Sequence, residues 1–162
     1  MNKKEKEIIY LSDSPAKTKK LGELLAKTIL KSGTGGQARV LLLQGDLGAG
    51  KTQFTQGLAK GFGVKETVNS PTFTIIKKYP VAGRSGFCNF YHIDCYRLNS
   101  GRDLGELGMG AVLNDPANIV ALEWPAVVEN DLPFGEALVT EFKVCGENER
   151  MIKFSFTKPN EK

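Results

Sequence analysis

The chain is 162 residues long, with 41% apolar, 25% charged and 9% aromatic residues, the profile of one globular domain over 1–162 with no room for a second. Three cysteines without a CxxC pair (Cys88, Cys95, Cys145) and a single histidine, His92, speak against a structural zinc site or a disulfide framework; no apolar run approaches a signal peptide or membrane span, so a cytoplasmic protein is expected. The net charge of +4 divides into +9 over residues 1–100 and −5 over 101–162, which suits either an anionic partner or a solvated lysine-rich helix face, and by itself does not predict binding to DNA or any other nucleic acid.

Residues 7–12 (EIIYLS) read as a short strand. Ser14 and Pro15 then start a helix, with a hydroxyl to cap free amides and a residue whose missing N–H costs nothing in the first turn. Leu21, Leu24, Leu25, Thr28 and Ile29 recur at helical spacing up to Gly33. The run Val40 to Leu43 is continuously apolar, as in a strand buried on both faces. A glycine-rich stretch follows, and Phe54, Leu58 and Phe62 mark a second helix ending at Gly61–Gly63. Residues 73–79 and 87–94 read as an antiparallel hairpin with a long loop, 102–110 as a short helix, and 118–124 as another buried strand. Residues 137–145 and 150–157 close the chain as a hairpin about a turn at 146–149. The fold class is therefore α/β, a single domain with a mixed parallel and antiparallel sheet flanked by a few helices.

Gly45-Asp46-Leu47-Gly48-Ala49-Gly50-Lys51-Thr52 matches GxxxxGK[ST] in full, between a strand and a helix. Glycines let backbone amides wrap phosphates, the lysine brings charge to the terminal ones, and the hydroxyl suits Mg²⁺. Triphosphate nucleotide binding is the firmest functional reading. Phosphoryl transfer also needs an acid on a neighbouring strand, and Ile119 to Glu123 supplies an apolar strand ending in a carboxylate. Glu123 could hold the ion through water or polarise an attacking water; the plainer alternative is a solvent-facing acid at a strand end. Asp94, two residues after His92, could be a second magnesium or water ligand, or a cap and partner for Arg97. His92 itself reads as a core histidine rather than a proton carrier. Neither NKxD nor DxxG occurs, which disfavours a GTPase, and the scattered Arg84, Arg97 and Arg102 form no kinase lid.

GDLGAGKTQF at 45–54, VNSPTFTI at 68–75, HIDCYRL at 92–98, LEWP at 122–125 and DLP at 131–133 together resemble the TsaE (YjeE) family, the ATPase component of the bacterial machinery that makes threonylcarbamoyladenosine in tRNA. The resemblance implies a P-loop fold that binds ATP or ADP with Mg²⁺, hydrolyses ATP slowly when alone, and associates with TsaD and TsaB, reaching tRNA through that complex. It places Gly48 to Thr52 on the phosphates with Lys51 catalytic, Gln53 beside them, and Thr52, Asp94 and Glu123 around metal and reactive water. Ser70, Pro71, Thr72 and Phe73 fall on a switch-like loop, and Trp124 where an aromatic ring lies close to the adenine; core packing is the other reading of that tryptophan. Gln53 departs from the small hydroxyl residue common there. A binding module governed by its nucleotide, or a small-molecule P-loop kinase, is the alternative to a coupled ATPase.

Overall fold

The computed structural model describes residues 6–71, 73–83, 85–128, 130–131 and 135–157. Its elements in chain order are β1 (Ile8–Ser12), α1 (Pro15–Ser32), β2 (Arg39–Gln44), α2 (Lys51–Gly61), β3 (Ile76–Pro80), β4 (Asn89–Asp94), α3 (Gly101–Glu106), α4 (Met109–Asn114), β5 (Asn118–Glu123), β6 (Ala137–Val144) and β7 (Arg150–Phe156), with a 3₁₀ turn at Pro125–Val127.

The strands form one mixed sheet in the order β1-β7-β6-β2-β5-β4-β3. β6, β2, β5 and β4 run parallel at its centre, and β3, β7 and β1 pair antiparallel toward the edges. The apolar run of β2 is explained by this position. Leu41 and Leu43 pack with Phe54, Leu58, Phe62 and Phe90 on the face covered by α1 and α2. Val40 and Leu42 pack with Leu104, Met109 and Leu113 on the face covered by α3 and α4. The period-2 alternation of a strand thus feeds two cores at once.

Three expectations shift locally. The first hairpin strand starts at Ile76 rather than Phe73, because Thr74 and Ile75 turn back to donate to Pro71 O and Ile75 adopts φ 61°. The short helix near 102–110 is two helices, broken at Gly108 with φ 80°. In α1 the buried stripe is Thr18, Gly22, Ala26 and Ile29, with Glu23 beside it, while Leu24 is exposed. Small residues win that face because α2 lies so close: a Cβ on Gly57 would strike Lys19 O, and one on Gly61 would sit 2.5 Å from Ala26 Cβ. Glu23 also clamps the pair, accepting from Lys27 at 2.7 Å within α1 and from Lys60 of α2 at 3.3 Å.

Two outcomes follow from this helix pair. Alanine at Gly57 gains about 1 kcal/mol of helix propensity but meets rigid backbone, and such overpacking costs about 1–3 kcal/mol or more; Gly57→Ala should therefore lower the urea midpoint. The ammonium groups of Lys27 and Lys60 hold the Glu23 carboxyl at about 2, well below its usual 4.5. A depressed folded-state pKa stabilises above the unfolded value and is lost as pH falls. The stability gap between the parent and Glu23→Gln, measured by urea titration, should be full at neutral pH and fade between 4.5 and about 2.

Candidate functional site

Residues 45–52 leave β2 along a path that glycine alone follows without strain: Gly45, Gly48 and Gly50 have φ of 152°, 75° and 104°. At Gly45 space adds to conformation, since a Cβ there would stand 2.8 Å from Phe142 O. α2 begins directly on the loop with Gly50 as its N-cap and no side chain bonded to its first amides. Those amides and the helix dipole together form a site for negative charge.

Lys51, first residue of α2, is only 5% exposed. Its Nζ donates to Gly45 O and, at 3.0 Å, to Asp46 O, and lies 4.2 Å from the centre of the Trp124 ring. Burial pushes the ammonium pKa below its ordinary value, opposed by the charges of Glu123, Asp46 and Asp94. Trp124 is not the last residue of β5, as the sequence suggests. It turns out of the strand at φ 57°, donating its N–H to Leu43 O at 3.3 Å, and so swings its ring over the lysine and to 5.1 Å from that of Tyr96.

The two acids come from adjacent parallel strands whose register sets Asp94 opposite Glu123 at the C-terminal ends. Glu123 is 4% exposed, so it is not a solvent-facing acid; its Oε1 lies 2.8 Å from Nε2 of the fully buried His92. Asp94 accepts from the Tyr96 amide at 3.0 Å and from the Ser70 hydroxyl at 3.3 Å. Arg97 does not partner it: its guanidinium stands 5.1 Å from the Phe73 ring instead. Loop residues 47–53, both acids, Tyr96 and Trp124 line one cleft of about 360 Å³.

Of the expected nucleotide and metal residues, Leu47 to Gln53, Asp94, Glu123 and Trp124 line this cleft, whereas Gly45 and Asp46 do not and instead give their carbonyls to Lys51. Ser70 reaches the cleft through Asp94, Pro71 accepts the turn amides of 74 and 75, Phe73 is exposed, and Thr72 lies outside the described residues. Sequence reasoning missed three features. Tyr96 follows Asp94 by two in HIDCYRL, a spacing that by itself does not mark it as a cleft residue. Arg150, far along the chain, bonds the Gly48 carbonyl at 3.1 Å while also holding the carbonyls of the β6–β7 turn. The bond between His92 and Glu123 joins two strands whose neighbourhood no local pattern announces.

Thr52, Asp94 and Glu123 offer only oxygen donors to the cleft, the chemistry that suits a hard cation such as Mg²⁺. Among the described residues no three or more His, Cys, Asp or Glu converge into a protein-only cage.

The model of the family described as "Threonylcarbamoyl adenosine biosynthesis protein TsaE" matches residues 12–152. The chain is 38% identical to the tRNA threonylcarbamoyladenosine biosynthesis protein TsaE of Bacillus subtilis, over 93% of this chain and 86% of that one. It is 36% identical to the protein of the same name from Haemophilus influenzae, over 74% and 72%. Among solved structures it is similar to YdiB of Bacillus subtilis, with a TM-score of 0.72 and 33% identity over 93% of this chain and 86% of that one.

Because Trp124 is the single tryptophan, the contact with Lys51 can be read directly. Replacing the ammonium in Lys51→Met should shift or brighten its fluorescence emission; a spectrum unchanged from the parent would remove the stacking of the lysine on the ring.

Proposed function

Since the chain belongs to the TsaE family of threonylcarbamoyl adenosine biosynthesis proteins, we propose that it binds and slowly hydrolyses MgATP in the threonylcarbamoyl modification of adenosine in tRNA, working with TsaD and TsaB. The observation that carries this reading is the juxtaposition of a buried lysine and free helix amides with two carboxylates on the neighbouring strands. A triphosphate would replace the carbonyls and ring that Lys51 now faces, beside helix amides that carry no side-chain cap.

Each group then has a distinct task. Lys51 and the loop amides at the start of α2 stabilise charge developing on the β,γ-bridge. Thr52, Glu123 and Asp94 are the residues that would hold Mg²⁺, which when bound neutralises phosphate charge. Glu123, or Asp94 from its side, orients the attacking water. Ser70, bonded to Asp94, connects the loop of residues 70–73 to that water and makes it a sensor of the terminal phosphate. Trp124, with Tyr96, is the aromatic wall against which the nucleotide, adenine included, would lie. Among the described residues no arginine lines the cleft. An arginine finger is worth about 10³ to 10⁵ in rate where it exists, so slow turnover in isolation is expected. No helix among the described residues is long and apolar enough to cross a membrane, and we place the protein in the cytoplasm.

Reconstitution with TsaD and TsaB, following ATP hydrolysis and modified tRNA together, tests partner and chemistry at once. Glu123→Gln keeps an acceptor for His92 but loses the charge. It should still bind MgADP by calorimetry, lose about 10²-fold or more in hydrolysis, and fail in multiple-turnover modification. Full modification without hydrolysis would replace the ATPase reading by that of a nucleotide-controlled binding module.

A further inference from the structure

His92 is fully buried, and nothing in the proposed chemistry uses it. It stands on β4 between Phe90, in the core under α1 and α2, and Asp94, in the cleft; all three share one face of the strand. Across on β5 its register partner is Ala121, whose small side chain leaves room for the imidazole to reach one step further along that strand, to Glu123. Nε2 meets Glu123 Oε1 at 2.8 Å, whereas Nδ1 has no partner among the described residues.

We propose that His92 is a positioning residue: its Nε2–H fixes the Glu123 carboxylate through Oε1, leaving the other oxygen to serve the cleft. The proposal rests on the reading of Glu123 as the acid that orients metal or water. A carboxylate only accepts, so the proton of this bond belongs to Nε2, and in the neutral ring Nδ1 is then a bare acceptor. A histidine present only to fill the core would be a poor choice. Leucine or phenylalanine would bury the same volume without stranding a polar atom among apolar neighbours. The stranded Nδ1 is thus accounted for by the single bond made on the other side of the ring. The same bond keeps Glu123, almost wholly buried, in one rotamer, where a free side chain would have to be ordered at each turnover.

His92 is the only histidine, so nitrogen NMR of the whole labelled chain reports on it without assignment. The expected spectrum carries the proton on Nε2 and a bare Nδ1. The Nε2 signal should move in Glu123→Gln, and on adding Mg²⁺ with ADP it should move in the parent but not in that variant. Kinetically, His92→Leu should lower kcat by at least about tenfold with KM for MgATP within about twofold, as displacement of a catalytic group does. His92→Gln, whose amide places an N–H near the position of Nε2, should recover most of the loss. In a Glu123→Gln background His92→Leu should change kcat by less than about twofold, because the two act as one unit. A parent spectrum with the proton on Nδ1, a His92→Leu enzyme with parental kcat, or equal losses in the leucine and glutamine variants would each overturn the proposal. The spectra keep it falsifiable should His92→Leu not fold. Absence of hydrolysis by the parent would sink the functional reading alone, since the imidazole signals are read without turnover.

Discussion

A lysine ammonium placed almost out of water is the interaction on which the rest of this structure turns. Desolvating Lys51 is costly, and without a ligand the cost is met by two backbone carbonyls and the face of Trp124, with Glu123, Asp46 and Asp94 supplying negative charge nearby. None of these is an anion in direct contact. The loop amides around it are likewise donors without side-chain caps. A buried ammonium bonded to backbone carbonyls, beside helix N-terminal amides without a side-chain cap, is an arrangement complementary to negative charge.

The position of that lysine depends on how tightly the helix behind it is held. α2 is pressed against α1 through Gly22, Gly57 and Gly61, none of which has room for a Cβ, and Glu23 ties the two with lysines from both. On the sheet side Phe54 is fully buried, its ring 5.3 Å from that of Phe142 on β6. The start of α2 is fixed by packing along its whole length, and its first turn inherits that rigidity. Arg150 adds a second anchor from the other end of the chain, joining the β6–β7 turn to the Gly48 carbonyl.

Parallel register does the same for the acids. Because β4 and β5 run side by side in phase, the last residues of both strands arrive together, next to the loop that leaves β2. The crevice beyond the carboxyl ends of parallel strands is where α/β sheets place their ligands. The bond between His92 and Glu123 is a product of the same register, His92 standing two residue pairs further into the sheet and reaching diagonally to the strand end.

What could be read from the residues alone was whatever obeys a short period or a short spacing. The buried strand at 40–43, the capped helix start at Ser14 and Pro15, the glycine loop at 45–52 and the strand ending at Glu123 are local patterns, and each was recovered with its boundary within a few residues. The mixed sheet followed from them. Local periodicity misjudged α1, where leucines suggested the buried face and glycine and alanine occupy it, because closeness of a second helix rewards absence of bulk. It also carried Trp124 along the strand, when a left-handed turn brings its ring onto Lys51. Contacts of Arg150 with Gly48, of His92 with Glu123 and of Ser70 with Asp94 join residues from 24 to 102 positions apart. Their identity depends on strand order and register, which are set by the burial of the whole sheet on both faces. The sequence by itself therefore determined which chemical groups this chain offers at the glycine loop and the strand ends, because each is written in adjacent residues. Only the tertiary structure decided which groups hold them in place, because that support comes from side chains that meet after the chain has packed.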